Sequence, residues 1–156
     1  MDDIRLLVEA ILADTAPDAF RPQIALPEWA RMAGVLARRE LAAGELLIRR
    51  GERERHAWLV ERGRLQVFVT GGPPGSHRIA TLGAGSLVGE PGLFTDVPRM
   101  AHVEAMADAV VWSLDAVRLG ELAAAQPALA FELLRAAGAV MAARMRANLE
   151  RGIPVS

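Results

Sequence analysis

The chain has 156 residues, a formal net charge of −1 and no cysteine. That length suits one domain with an ordinary buried core, and the near-neutral charge provides no global attraction to nucleic acid or anionic membrane. The missing thiols exclude disulfides and thiolate metal sites. The start M-D-D-I-R lacks the leader pattern of a signal peptide, and no apolar run approaches the ~18 residues of a membrane span. The expectation is a soluble cytoplasmic domain that neither inserts into a membrane nor binds nucleic acid by itself.

Residues 1–34 read as an N-terminal helical segment. Ile4, Leu7, Val8, Ile11 and Leu12 recur at helical spacing, with Asp2 or Asp3 available as N-cap. A proline-bearing link over 16–27 leads to a short helix at 28–33 carrying Trp29.

Residues 35–114 differ in kind. Ten of the fourteen glycines fall between Gly44 and Gly92, separating short segments of strand character at 35–41, 46–49, 57–61, 64–70, 77–82, 100–106 and 109–114. Leu65, Val67 and Val69 alternate with more polar neighbours, the two-residue period of a strand with one buried face. Gly71-Gly72-Pro73-Pro74-Gly75 predicts a flexible hairpin tip. Many short strands with turn signals predict a double-stranded β-helix, a jelly-roll-like β-roll, so the fold class is mainly β with flanking helices.

Residues 115–151 return to helix. Asp115 is placed to cap a helix through about residue 125, and Gln126-Pro127 starts a longer one to about residue 151. On the latter, Leu129, Leu133, Leu134, Ala137, Val140, Met141, Met145 and Leu149 recur at three- and four-residue steps.

The stretch from Gly85 to Val103, G-S-L-V-G-E-P-G-L-F-T-D-V-P-R-M-A-H-V, carries the chemistry. Gly85, Gly89 and Gly92 let backbone approach a ligand closely. Glu90 is an acceptor for hydroxyls, and Arg99 offers a planar fork of donors suited to a phosphate. Structural roles are open to the same residues: Arg99 could pair with Glu90 or Asp96, and Glu90 could cap a turn. His56, His77 and His102 contain no H-x-H pair of the metal-binding jelly-roll kind, so they read as isolated surface histidines and no metal site is expected. No nucleophile–base pair is visible either, so the chain is not expected to be an enzyme.

Three passages resemble the cyclic nucleotide-binding domain superfamily, the effector module of catabolite activator protein-like regulators. Residues 41–52, L-A-A-G-E-L-L-I-R-R-G-E, resemble its opening hairpin; residues 58–67, W-L-V-E-R-G-R-L-Q-V, resemble its strand turn; and residues 85–103 resemble its phosphate-binding cassette, G-E-x-x-L…P-R-x-A-x-V. The resemblance covers about residues 25 to 150. It implies one cyclic nucleotide-binding domain in which Glu90 accepts from the ribose 2′-hydroxyl and Arg99 pairs with the cyclic phosphate. The backbone of Gly89 and of Met100 or Ala101 would help hold sugar and phosphate, and a short helix starting at Glu90-Pro91 would aim its N-terminus at the anion. Leu82, Val88 and Leu93 would form apolar walls. Met141, Arg144 and Met145 would cap the base or move when the pocket fills.

Two positions depart from the family pattern. Met100 brings no hydroxyl next to Arg99, which favours cyclic AMP over cyclic GMP, and Pro91 removes one N–H donor from the anion site. The expected function is non-catalytic sensing of a cyclic nucleotide, with no other cofactor, coupled to movement of the C-terminal helices. The alternative is a degenerate module that packs against a protein without ligand. The run from Arg99 to Val103, then Val110 to Leu114 and the Ala-Arg-rich last helix, also resembles the segment at the C-terminus of some bacterial SulP-type anion transporters. Expected partners are therefore the nucleotide, a second copy through the C-terminal helix, or a membrane transporter or signalling protein. A DNA-binding role would need a helix-turn-helix after the long helix, which these residues do not contain.

Overall fold

The computed structural model describes residues 3–69 and 78–152. The hairpin tip read at 71–75 and His77 lie outside the described residues. Two four-stranded antiparallel sheets face each other. The first has the order β1 (Leu36–Leu41), β8 (Ala109–Asp115), β3 (His56–Arg62), β6 (Leu87–Val88); the second runs β2 (Leu46–Ile48), β7 (His102–Ala105), β4 (Leu65–Phe68), β5 (Arg78–Leu82). Sequence neighbours such as β2 and β3 lie in different sheets, as the predicted β-roll requires.

Helices cover the outer face of the first sheet: α1 (Arg5–Ala13), α2 (Leu26–Met32), α4 (Ala116–Ala125) and α5 (Pro127–Glu150), while α3 (Pro91–Phe94) is a single turn in the cassette. This creates two cores. Leu36, Ala57, Leu59, Leu87, Trp112 and Leu114 meet the helices through residues such as Leu7, Trp29, Leu119, Leu133 and Val140. Leu41, Ile48, Trp58, Val60, Leu65, Val88, Val103 and Val111 fill the space between the sheets. β3 sends Ala57 and Leu59 to one core and Trp58 and Val60 to the other, so it is apolar on both faces instead of alternating. Burying both faces of the central strands is what makes them rigid supports for the loops at their ends.

Several expectations need adjustment. α1 begins at Arg5 behind Ile4, and Asp3 instead takes the Arg5 N–H at 2.9 Å just outside the helix. β6 lies hidden between glycines and is too short to leave a periodic signal. In β4 only Leu65 is buried; Val67 is partly buried against the inter-sheet core, and Val69 follows the strand's end. Asp115 caps α4 as expected, accepting the Val117 N–H at 2.6 Å.

Candidate functional site

The cassette is built where β6 leaves the first sheet. Gly89 turns the chain at φ +76°, and a Cβ there would lie 3.0 Å from Ile48 Cδ1 and 3.3 Å from Trp58 Cζ3. Glycine is thus required both by conformation and by space. Pro91 then opens α3, and the N–H groups of Gly92 and Leu93 go to the carbonyls of Gly89 and Glu90. Those first amides are spent within the turn itself, so the expected aiming of this helix end at an anion does not describe them. Glu90 caps nothing with its side chain, which leaves the carboxylate for other partners. Gly85, by contrast, packs against Ala10 of α1 and against Asp14 just past its end.

Arg99 is anchored at both ends. Its backbone N–H donates to the Glu52 carbonyl and its carbonyl accepts from Gly51, each at 2.8 Å. Its guanidinium donates through Nη1 to the Gly89 carbonyl at 2.8 Å and through Nη2 to the His56 carbonyl, and Cζ lies 6.0 Å from the Trp58 ring centroid. The carboxylate of Asp96 is not its partner: the Asp96 carbonyl accepts from Arg53, and the Asp96–Arg99 pairing left open by the sequence does not form. Burial pulls the Arg99 pKa below its ordinary value, opposed by the carboxylates of Glu54 and Glu90. An arginine so placed keeps its charge. Glu54 is itself pushed up, first by burial and then by its hydrogen bond to Glu52.

Glu90 and Arg99 are only 6% and 8% exposed. Glu90 Oε2 accepts from Arg144 Nη1 at 2.8 Å, and Arg144 Nε donates to Asp18 Oδ2 at 2.8 Å. One arginine on α5 therefore ties together the cassette and the N-terminal link. Two donors remain: Arg99 Nε and Arg144 Nη2 are buried with no hydrogen-bond partner among the described residues. An unmade hydrogen bond to a buried donor costs ~1–3 kcal/mol, more for a charged group.

These side chains line one cleft of about 660 Å³, within the range of small-molecule sites. Leu82, Val88, Gly89, Glu90, Arg99, Met100, Ala101, Met141 and Arg144 all face it. Two expected residues do not. Leu93 points into the core between helices and first sheet, and Met145 is 49% exposed on another side of α5. The lining also includes Pro17 and Asp18 from the N-terminal link, Val67, Ile79 and Ala80 from the second sheet, and Ala147, Asn148 and Arg151. Asn148 and Arg151 stand four and seven residues after Arg144, so helical spacing alone could have found them once Arg144 was chosen. No local signal could have found Asp18, 126 residues from its partner.

The described histidines each have a local partner. His56 Nε2 lies 3.3 Å from Asp115 Oδ2, and His102 Nδ1 accepts from the Arg50 N–H at 3.2 Å. Among the described residues no group of three or more histidine or carboxylate side chains could hold a metal ion. No described helix is long and apolar enough to cross a membrane.

Comparison with known proteins bears on this cleft. A family model described as "Cyclic nucleotide-binding domain" matches residues 38–126. The cAMP-dependent protein kinase regulatory subunit of Blastocladiella emersonii is 36% identical over 90 residues, 58% of this chain and 22% of that protein. The chain therefore spans about a fifth of that relative's length. A solved cyclic nucleotide-binding domain from Methylobacillus flagellatus superposes with TM-score 0.79 at 20% identity, covering 95% of this chain and 81% of that one, a likeness of fold. The catabolite activator protein of Thermus thermophilus superposes with TM-score 0.70 at 27% identity, covering 88% of this chain and 62% of that one. The matched residues contain the whole cassette and the strands that carry it, and this chain belongs to the cyclic nucleotide-binding domain family.

Proposed function

We propose that the chain is a non-catalytic, cytoplasmic sensory domain that binds one cyclic nucleotide in this cleft, cyclic AMP ahead of cyclic GMP. The observation that carries the reading is the convergence of Arg99, Arg144 and the Glu90 carboxylate on one cleft with apolar walls. A ligand with an anionic group and adjacent hydroxyls complements that set of charges. Arg99 takes the phosphate, Glu90 the ribose 2′-hydroxyl, and the backbone at Gly89, Met100 and Ala101 lies alongside. Leu82 and Val88 give apolar walls. The likeness to a kinase regulatory subunit whose name specifies cAMP supports the same ligand.

Occupancy would reach α5 through Arg144. A ribose hydroxyl on Glu90 competes with, or reorients, the 2.8 Å bond from Arg144 Nη1, so the ligand binds the two positions of α5 with different affinity. α5 in turn presents Phe131, Met145 and Leu149 as exposed apolar side chains to a second copy or to a transporter or signalling partner.

Thermal unfolding with cyclic AMP, cyclic GMP and cyclic di-GMP tests the reading. Ligand at 100 times its dissociation constant adds about 2.7 kcal/mol to the folded state, a rise of roughly 5–10 °C in Tm for a chain of this size. No shift with any of the three would overturn it and leave a ligand-free interaction module.

A further inference from the structure

We infer that His56 is a proton-sensitive positioning residue that joins the cassette to α4 and makes nucleotide affinity rise as the medium turns acidic; the inference rests on the cyclic-nucleotide reading above. Residues 51–56 form a bridge attached on two sides. On the cassette side, the Gly51 N–H donates to the Arg99 carbonyl and the Arg99 N–H to the Glu52 carbonyl. Arg53 Nη1 donates to the Asp96 carbonyl at 3.1 Å, and Arg55 Nε to the Gly92 carbonyl at 3.4 Å. On the α4 side, the Arg55 carbonyl accepts from the Ala116 N–H at 3.0 Å.

His56 closes both sides at once. Its carbonyl accepts from Arg99 Nη2, and its imidazole Nε2 lies 3.3 Å from Asp115 Oδ2 across the register of β3 and β8. The other Asp115 oxygen caps α4 through the Val117 N–H. One residue therefore places the phosphate arginine with its main chain and meets the cap of α4 with its side chain. The charged groups around the imidazole are Asp115 on β8, Glu54 in the same segment, and Arg99 from the cassette. Arg118 of α4 shares a surface cleft with Asp115, and the Trp58 ring, 5.6 Å from the imidazole, is neutral.

An imidazole changes charge between about pH 5 and 8. Once protonated, it meets the Asp115 carboxylate as an ion pair instead of a neutral contact. Both side chains are more than a third exposed, so the gain is that of a solvent-screened pair. Two consequences for the ligand share one sign. The paired ring fixes the carbonyl that positions Arg99, and a second cation beside Arg99 favours an incoming anion. In the empty site those two cations repel, and a bound cyclic phosphate relieves the repulsion. By linkage, a filled site must in turn hold the His56 proton more tightly.

The test is calorimetric titration of cyclic AMP into the full chain at about pH 8 and about pH 5.5, spanning the imidazole range. The wild type should bind about 2- to 5-fold more tightly at the acid end, the scale of one solvent-screened ion pair. His56→Gln keeps the carbonyl but cannot titrate, and Asp115→Asn keeps a good N-cap while losing the anion. Both should flatten the profile, whereas Glu54→Gln, which removes the neighbouring carboxyl, should leave it sloped. By NMR, the His56 ring signal, identified by its loss in His56→Gln, should titrate at higher pH when cyclic AMP saturates the chain. A wild-type affinity independent of pH, a slope unchanged in either His56→Gln or Asp115→Asn, or a slope lost in Glu54→Gln overturns the inference and leaves the site in place. A wild type with no saturable binding at either pH overturns the cyclic-nucleotide reading itself, and the inference with it.

Discussion

Gly92→Ala isolates the geometry that holds Arg99 in place. A Cβ at Gly92 would lie 2.5 Å from Arg99 Nη2, 2.8 Å from the His56 carbonyl oxygen and 3.0 Å from Arg99 Cζ. Comfortable contacts begin near 3.5 Å, so roughly 1 Å must be found. The His56 oxygen is backbone at the start of β3, which is paired to β8 from that residue onward, so the strand cannot yield cheaply. The guanidinium must move, breaking its bonds to the Gly89 and His56 carbonyls. Overpacking costs ~1–3 kcal/mol, and charged hydrogen bonds ~1.5–3 kcal/mol, against a gain of ~0.4–1 kcal/mol from the stiffer unfolded chain. The net expectation is a loss of about 1.5–5.5 kcal/mol with at least a tenfold loss of nucleotide affinity. Gly138→Ala is the control, because a Cβ there meets nothing within 4 Å in the middle of α5. It should gain ~0.5–1 kcal/mol. Urea denaturation of both variants, followed by ligand titration, reads the contrast. Equal stability and equal affinity in the two variants would refute the claim that Gly92 packs against the anchored arginine.

A double-mutant cycle with Glu90→Gln and Arg144→Gln should show a coupling of about 1–3 kcal/mol. The carboxylate is almost fully buried while Arg144 is partly exposed and keeps Asp18 as a second partner, which places the value below that of a fully buried pair. Purely additive losses in denaturant unfolding would sever the proposed link between cassette and α5. Glu132 is held at about 2 by its hydrogen bond to Arg135 and then by the Gln23 N–H. A carboxyl lowered in the folded state stabilises above its ordinary value, 4.5, and loses that contribution as pH falls towards 2. Glu132→Gln should therefore cost about 1 kcal/mol at neutral pH, on the scale of a solvent-screened pair. The gap to wild type should close between roughly pH 4.5 and 2; a gap independent of pH would assign the cost elsewhere.

Local features were legible in the chain. The Gly-Glu and Pro-Arg pairs stand nine residues apart and mark the cassette without any knowledge of the fold, and Asp115 and Pro127 mark the starts of α4 and α5. Long-range partnerships were not. That Arg99 is pinned by the carbonyls of Gly89 and His56 depends on main-chain oxygens, which no side-chain pattern encodes. The Asp18–Arg144–Glu90 chain joins three distant segments. The apolar stripe of α5 was read as continuous to Leu149, yet burial stops after Val140. Periodicity specifies which residues share a face, but not where the body of the protein ceases to cover it. That is why Met145 was chosen for the cleft while Asn148, about a sixth of a turn away by phase, was passed over.

Isothermal titration of cyclic AMP into the wild-type chain and into Arg99→Ala tests the central claim most directly. One molecule should bind per chain, and the variant should bind about 10- to 200-fold more weakly, the equivalent of ~1.5–3 kcal/mol for a charge-assisted phosphate contact. Saturable binding of equal strength in both proteins would place the nucleotide away from Arg99, and a wild type that gives no saturable heat would contradict the account.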